Sequence, residues 1–78
     1  MWFAYILKMR NGDYYKGCTN DLDGRLAKHQ SGKVPSTRDN LPVELICYTA
    51  FNDKHKAFMF EKYLKSGSGR AFLNKRLV

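Results

Sequence analysis

Cysteine is scarce in this 78-residue chain: there are two, Cys18 and Cys47, and neither stands in a CxxC or Cys/His pattern. That leaves no basis for a disulfide framework or a zinc site, and reduced thiols in a cytoplasmic setting are the expectation. Long hydrophobic runs are missing too. Trp2 to Leu7 is apolar, but Lys8 ends it far short of the roughly 20 residues of a membrane span, and nothing resembles a signal peptide. Repeats, linkers and low-complexity segments are absent. Acid is the scarcest at one end: residues 1–53 hold seven Lys/Arg and six Asp/Glu, whereas residues 54–78 hold seven Lys/Arg and only Glu61. The total is 14 basic against 7 acidic residues, a net charge of +7, and the surplus sits in the last third of the chain. A polyanion such as DNA or RNA is the natural partner for such a surface, because each neutralised phosphate releases condensed counterions.

What is present suffices for one domain over residues 1–78. Apolar residues make up 44% of the chain and aromatics 14%, near the lower size limit for a core without staples. Trp2 to Met9 reads as a strand covered on both faces. Asn11-Gly12 is a strong hairpin signal, and Tyr14 to Cys18 follows as a second strand. Thr19 or Asn20 is positioned to cap a helix running towards Gly32, with Asp21 and Asp23 in its first turn. Residues 33–42, with Pro35 and Pro42 at the margins, read as a loop. Residues 43–51 form a third strand, a second helix runs from Asn52 or Asp53 to Lys65, and Ser68 is placed to cap a last helix over Arg70 to Leu77. The expected fold is α+β: a small, mostly antiparallel three-stranded sheet in ββα-β-αα order, flanked by helices.

Several polar residues keep apolar company. Leu22, Leu26 and His29 follow helical spacing, with Arg25 at their border, so two cationic side chains lie on the stripe turned to the sheet. They either snorkel over and cap the core or face a bound anion. In the second helix Ala57, Glu61 and Leu64 share a stripe, which turns the last third's one acid inward. A carboxylate there needs a partner, either an arginine or a divalent ion such as Mg²⁺ or Mn²⁺ with water and phosphate as its other ligands. Phe58, Met59 and Tyr63 read as core or a self-association surface ahead of base-stacking platforms, and Phe3, Ile6, Leu7, Ile46 and Phe51 as core.

The hairpin offers a geometric test. A two-residue Asn11-Gly12 loop pairs Lys8 with Tyr15 and puts Tyr5 and Tyr15 on opposite faces. A three-residue loop, Arg10-Asn11-Gly12, pairs Leu7 with Tyr15 and Tyr5 with Gly17, so both tyrosines share one face and Gly17 leaves room beside the Tyr5 phenol. The second register is preferred, although turn chemistry alone does not decide it.

Phe3-Ala4-Tyr5, Tyr15-Lys16-Gly17, Arg25, His29, Glu61 and Asn74, taken together and in this order, resemble the GIY-YIG endonuclease superfamily over essentially the whole chain. The likeness is to small stand-alone bacterial proteins and to the N-terminal nuclease domain of the excision-repair endonuclease. The two half-motif tyrosines stand ten residues apart, as the family favours. Phe3 replaces the first glycine and Lys16 the middle isoleucine, and Cys18 stands where the repair nuclease usually has a lysine.

The resemblance implies a hydrolase cutting phosphodiester bonds, with DNA ahead of RNA as substrate and DNA repair as a setting. Glu61 would hold one Mg²⁺ or Mn²⁺, Arg25 would clamp the phosphate, and Tyr15 with Tyr5 would position the attacking water or take its proton. His29 would hydrogen-bond a tyrosine or relay the proton, and Asn74 would hold substrate or orient Glu61. Lys16, Lys54, Lys62, Lys65, Arg70, Lys75 and Arg76 are candidate phosphate contacts. A homodimer or protein partner could supply specificity. A catalytically weak nucleic-acid-binding module and a small basic structural protein are the alternatives.

Overall fold

The computed structural model describes residues 1–77, so the last residue of the expected domain, Val78, lies outside it. Three strands, β1 (Trp2–Lys8), β2 (Tyr14–Thr19) and β3 (Glu44–Phe51), form one antiparallel sheet in the order β2-β1-β3. The near-continuous apolar run is therefore the central strand, and Ala4 to Leu7 are all buried because β1 has layers packed on both its faces.

Alternate side chains of β1 feed two cores. Tyr5 and Leu7 meet Val43, with Tyr15, Leu22, Leu26 and Leu41 around them, under helix α1 (Leu22–Gln30). Ile6 meets Leu64 and Leu73, with Ile46 and Phe60 beside them, under helices α2 (Lys54–Lys65) and α3 (Gly67–Arg76). A period of two along one strand thus sorts the chain into an α1 side and an α2–α3 side.

The hairpin takes the three-residue register. Tyr5 faces Gly17 and Leu7 faces Tyr15 across β1 and β2, and Gly12 adopts φ +93°, the left-handed conformation that the loop's last position requires. Across β1 and β3 the pairing slips between Ile6 and Leu7, so Ile46 is the extra residue of a bulge.

The helix starts correct the expected caps. Asp21, not Thr19 or Asn20, caps α1, its carboxylate accepting from the Gly24 amide at 3.1 Å. Thr19 instead accepts from the Asp21 amide, fixing the strand-to-helix corner one step earlier. Asp53 caps α2. Ser66, not Ser68, caps α3, because its hydroxyl donates to the Tyr63 carbonyl and accepts from the Gly69 amide. One side chain closes α2 and opens α3, which moves the start of α3 ahead of Arg70 to Gly67. Gly69 sits against the end of α2, where a Cβ would collide with the Tyr63 carbonyl. The expected loop at 33–42 contains a short 3₁₀ turn, Arg38–Asn40, and folds Thr37 fully into the interior.

Candidate active site

Tyr5 reaches its position because β2 carries no side chain opposite it. A Cβ at Gly17 would occupy the space of the phenol, so the glycine is what lets the ring lie across β2. Its hydroxyl stands 3.0 Å from Nε2 of His29, whose Nδ1 is 2.8 Å from the Thr37 hydroxyl. Tyr5, His29 and Thr37 are all buried, and the Thr37 hydroxyl in turn lies 3.5 Å from the Val34 carbonyl.

Because a carbonyl can only accept, the chain acquires a direction. Thr37 donates to Val34, His29 donates from Nδ1 to Thr37, and Nε2 is left to accept from the Tyr5 O–H. Burial, joined by the positive Arg25, holds His29 below its ordinary pKa, so the neutral ring needed for this arrangement is favoured. Burial also pushes Tyr5 well above the usual phenol range, and the neighbouring Tyr15 and Glu61 add to that while Arg25 opposes it. Tyr5 therefore keeps its proton. It is a donor to His29 held beside Tyr15, the tyrosine expected, with Tyr5 close by, to position the attacking water or take its proton.

Tyr15 shares the face, with its ring centroid 6.3 Å from Tyr5 and 5.1 Å from His29 in an edge-on arrangement. It is only partly buried, and its hydroxyl has no hydrogen-bond partner among the described residues. Arg25 is also half-buried and makes no ion pair among the described residues; with Lys28, Thr19 and the start of α1 it lines a shallow cavity of about 310 Å³. These two are the groups of the cluster left with unused polar capacity.

Glu61 comes from the opposite side of the sheet, on α2. Its partner is Lys65, one turn along the same helix at 3.0 Å, so neither Arg25 nor any other arginine closes a bridge with it among the described residues. The side chain retains 15% exposure, and its charge is felt by Tyr5 and by Cys18, the thiol of which also senses Lys54 and Arg25. The edge strand β2 carries Tyr15 on the α1 side and packs against α2 on the other, so the two sides of the sheet meet there. Lys16, half-buried on β2, is lowered from the ordinary lysine pKa by burial and by the nearby charges of Arg70 and Lys65.

The remaining expected residues spread outward. Asn74 is exposed on α3, one turn beyond Arg70, and no hydrogen bond joins it to Glu61 among the described residues. Lys62, Lys75 and Arg76 are exposed, while Lys54 lies over the rings of Trp2 and Phe58 at 5.0 and 5.6 Å. No group of three or more His, Cys, Asp or Glu that could hold a metal occurs among the described residues. The partly exposed Glu61 carboxylate is the residue that would hold a divalent ion, with water and phosphate as further ligands. Thr37 is the site residue that sequence reasoning missed. Its only signal was a small polar side chain in a proline-flanked loop, which is also the signal of an ordinary solvated loop.

No helix among the described residues is long and apolar enough to cross a membrane. The family model described as the GIY-YIG catalytic domain matches residues 1–76. A UPF0213 protein of Streptococcus pneumoniae is 45% identical over 64 residues, 81% of this chain and 65% of its own length. A UPF0213 protein of Lacticaseibacillus paracasei is 38% identical over 65 residues, 82% of this chain and 73% of its own. The chain therefore spans about two thirds of the length of these relatives. The solution NMR structure of a UPF0213 protein from Bacillus halodurans is similar at TM-score 0.59 and 35% identity, covering 96% of this chain and 84% of that one. Its fold agrees with the three antiparallel strands and flanking helices described above. On the domain match and these relatives, the chain belongs to the GIY-YIG family, whose catalytic domains are of nuclease type.

Proposed function

We propose that the protein is a metal-dependent endonuclease that hydrolyses phosphodiester bonds in nucleic acid, with DNA ahead of RNA on the likeness to the excision-repair domain. The observation that carries this reading is the meeting at β2: Tyr5 and Tyr15 share the face turned to His29, and α2, which carries Glu61, packs against the same edge strand. The free thiols of Cys18 and Cys47 fit a reducing compartment such as the cytoplasm.

Arg25, unpaired among the described residues and partly buried, presents a planar fork of donors to a non-bridging phosphate oxygen. Tyr15 orients the attacking water or accepts its proton. Tyr5 donates to His29 and thereby fixes the wall against which Tyr15 and the phosphate settle. His29 and Thr37 are positioning residues: a relay through them would end at the Val34 carbonyl, which cannot pass a proton on. A divalent ion bound by Glu61 would supply Lewis-acid stabilisation of the phosphate oxygens and of the departing 3′ oxygen. Lys16, Lys65 and Arg70 hold the strand beside that carboxylate, and Lys54, Lys62, Lys75, Arg76 and Asn74 extend the contact outward.

The ion pair between Glu61 and Lys65 favours a second reading, a binding module in which the carboxylate merely organises a lysine. Cleavage of labelled single-stranded, duplex, flap and branched DNA and RNA with Mg²⁺ or Mn²⁺, and again with EDTA, separates the two. Metal-dependent cutting that Glu61→Ala removes while binding survives supports the nuclease. Binding without cutting by wild type establishes the module.

A further inference from the structure

Phe58, Met59 and Tyr63 are not core: they are 45%, 52% and 41% exposed. Phe58 and Met59, with Glu61, Lys62 and Lys65, line an open groove of about 350 Å³ along α2. Positions 58, 61, 62 and 65 follow the i, i+3, i+4, i+7 rule, so an aromatic ring, the carboxylate and two lysines lie on one helical face. The ring is held in place from one side, by Trp2 at 6.2 Å between centroids and by the Lys54 ammonium above it.

Taking the nuclease reading as its starting point, we propose that this groove receives an unpaired nucleobase adjoining the phosphate at Glu61, so that the substrate is single-stranded nucleic acid or the single-stranded arm of a branch. Charge argues for a nucleic acid over a second copy of the chain. Lys62 and Lys65 line the groove, Lys54 stands over the Phe58 ring, Lys16 and Arg70 lie near Lys65, and two such surfaces face to face would repel. Exposed apolar side chains argue for an unpaired strand over a duplex. A duplex offers its backbone to a helix surface of this kind and keeps its base faces stacked inside, whereas an unpaired base offers a π-face to Phe58 and Met59 while its phosphates meet the lysines. A ring already held by Trp2 and Lys54 loses little freedom on stacking.

The test measures binding with the Glu61→Ala protein, which separates recognition from cutting. Fluorescence anisotropy of a short labelled DNA strand, its RNA counterpart and the duplex of the same sequence is compared for this background and for added Phe58→Leu, Phe58→Trp and Met59→Ala. Phe58→Leu, which keeps apolar bulk but loses the π-face, should weaken single-strand binding about tenfold and duplex binding less than about twofold, and Phe58→Trp should retain the single strand. Tyr63→Leu, whose ring packs between Phe60 and Phe72 outside the groove, should change neither. Unchanged single-strand binding in Phe58→Leu, an equal loss on duplex, or loss in Phe58→Trp as large as in Phe58→Leu would overturn the proposal. So would a concentration-dependent dimer that the same substitutions dissolve. Failure of wild type to cut any substrate sinks the nuclease reading and leaves this binding difference standing, while cutting with indifference to Phe58 sinks only the groove.

Discussion

The α1 side and the α2–α3 side of the sheet obey different rules. Towards α1 the fully buried polar groups are sealed and partnered, with the half-buried Tyr15 and Arg25 at their edge: Tyr5, His29 and Thr37 form one directed chain, and no buried side-chain polar atom among the described residues lacks a hydrogen bond. Towards α2 and α3 the apolar core of Ile6, Leu64 and Leu73 is capped by an outer surface of lysines and exposed rings. A sealed network fixes positions closely, because any displaced member strands its neighbours without water. A solvated cationic surface tolerates displacement and acts through summed charge. Joined at β2, the two sides divide the labour of the proposed reaction between placing groups and holding substrate.

Four measurements put that contrast at risk. The largest effect is expected where the sides meet: Glu61→Gln should lower the cleavage rate by about 10³-fold with little change in binding, since it removes the charge that would hold the ion. Comparable cutting by the variant would detach Glu61 from the chemistry. Next comes the sealed side. Thr37→Val keeps the shape but strands Nδ1 of His29, at a cost of about 1–3 kcal/mol in urea unfolding, and Thr37→Ser should recover most of it. Equal stability of the valine variant and wild type would mean that the hydroxyl directs nothing.

A smaller effect follows from protonation. The folded chain holds His29 below the value near 6.5 that it regains on unfolding, so between those two values the unfolded state binds the extra proton. Stability should therefore fall as pH drops from about 7 towards 5, because a charged ring can no longer accept from Tyr5, and His29→Gln should flatten that slope. Tyr5, Tyr15 and Arg25 are the groups facing the ring, and a slope that persists in the His29 variant would assign it elsewhere. The smallest effect belongs to the solvated side: Lys62→Ala should leave folding unchanged and lower the slope of log affinity against log salt by about one. A salt slope unaltered by that change would take Lys62 off the track.

Much of this was legible in the residues. Hydrophobic periodicity placed the three strands and three helices, because burying one face of each is the dominant energy and is written in the spacing of apolar side chains. Arg25, His29 and Glu61 stood out because polar groups in apolar stripes demand partners, and Tyr5 and Tyr15 because one hairpin register puts them on a single face. What those partners are was not legible. The expected partner of Glu61 was an arginine or a divalent ion, and the ion pair it makes among the described residues is with Lys65, one turn along its own helix. The hairpin register was open until Gly12 took its left-handed turn and Gly17 gave way to the Tyr5 ring.

Local spacing and composition were enough to set the elements and the charge asymmetry, and the ordered motif residues carried the resemblance to the family. Three features came only with the folded chain: Thr37 leaves its loop to fix the His29 ring, Tyr5 keeps its proton, and Phe58 and Met59 face water beside Glu61. Hydrogen-bond direction, desolvation and exposure all depend on which distant segments come together, and no spacing along a chain encodes that distance directly.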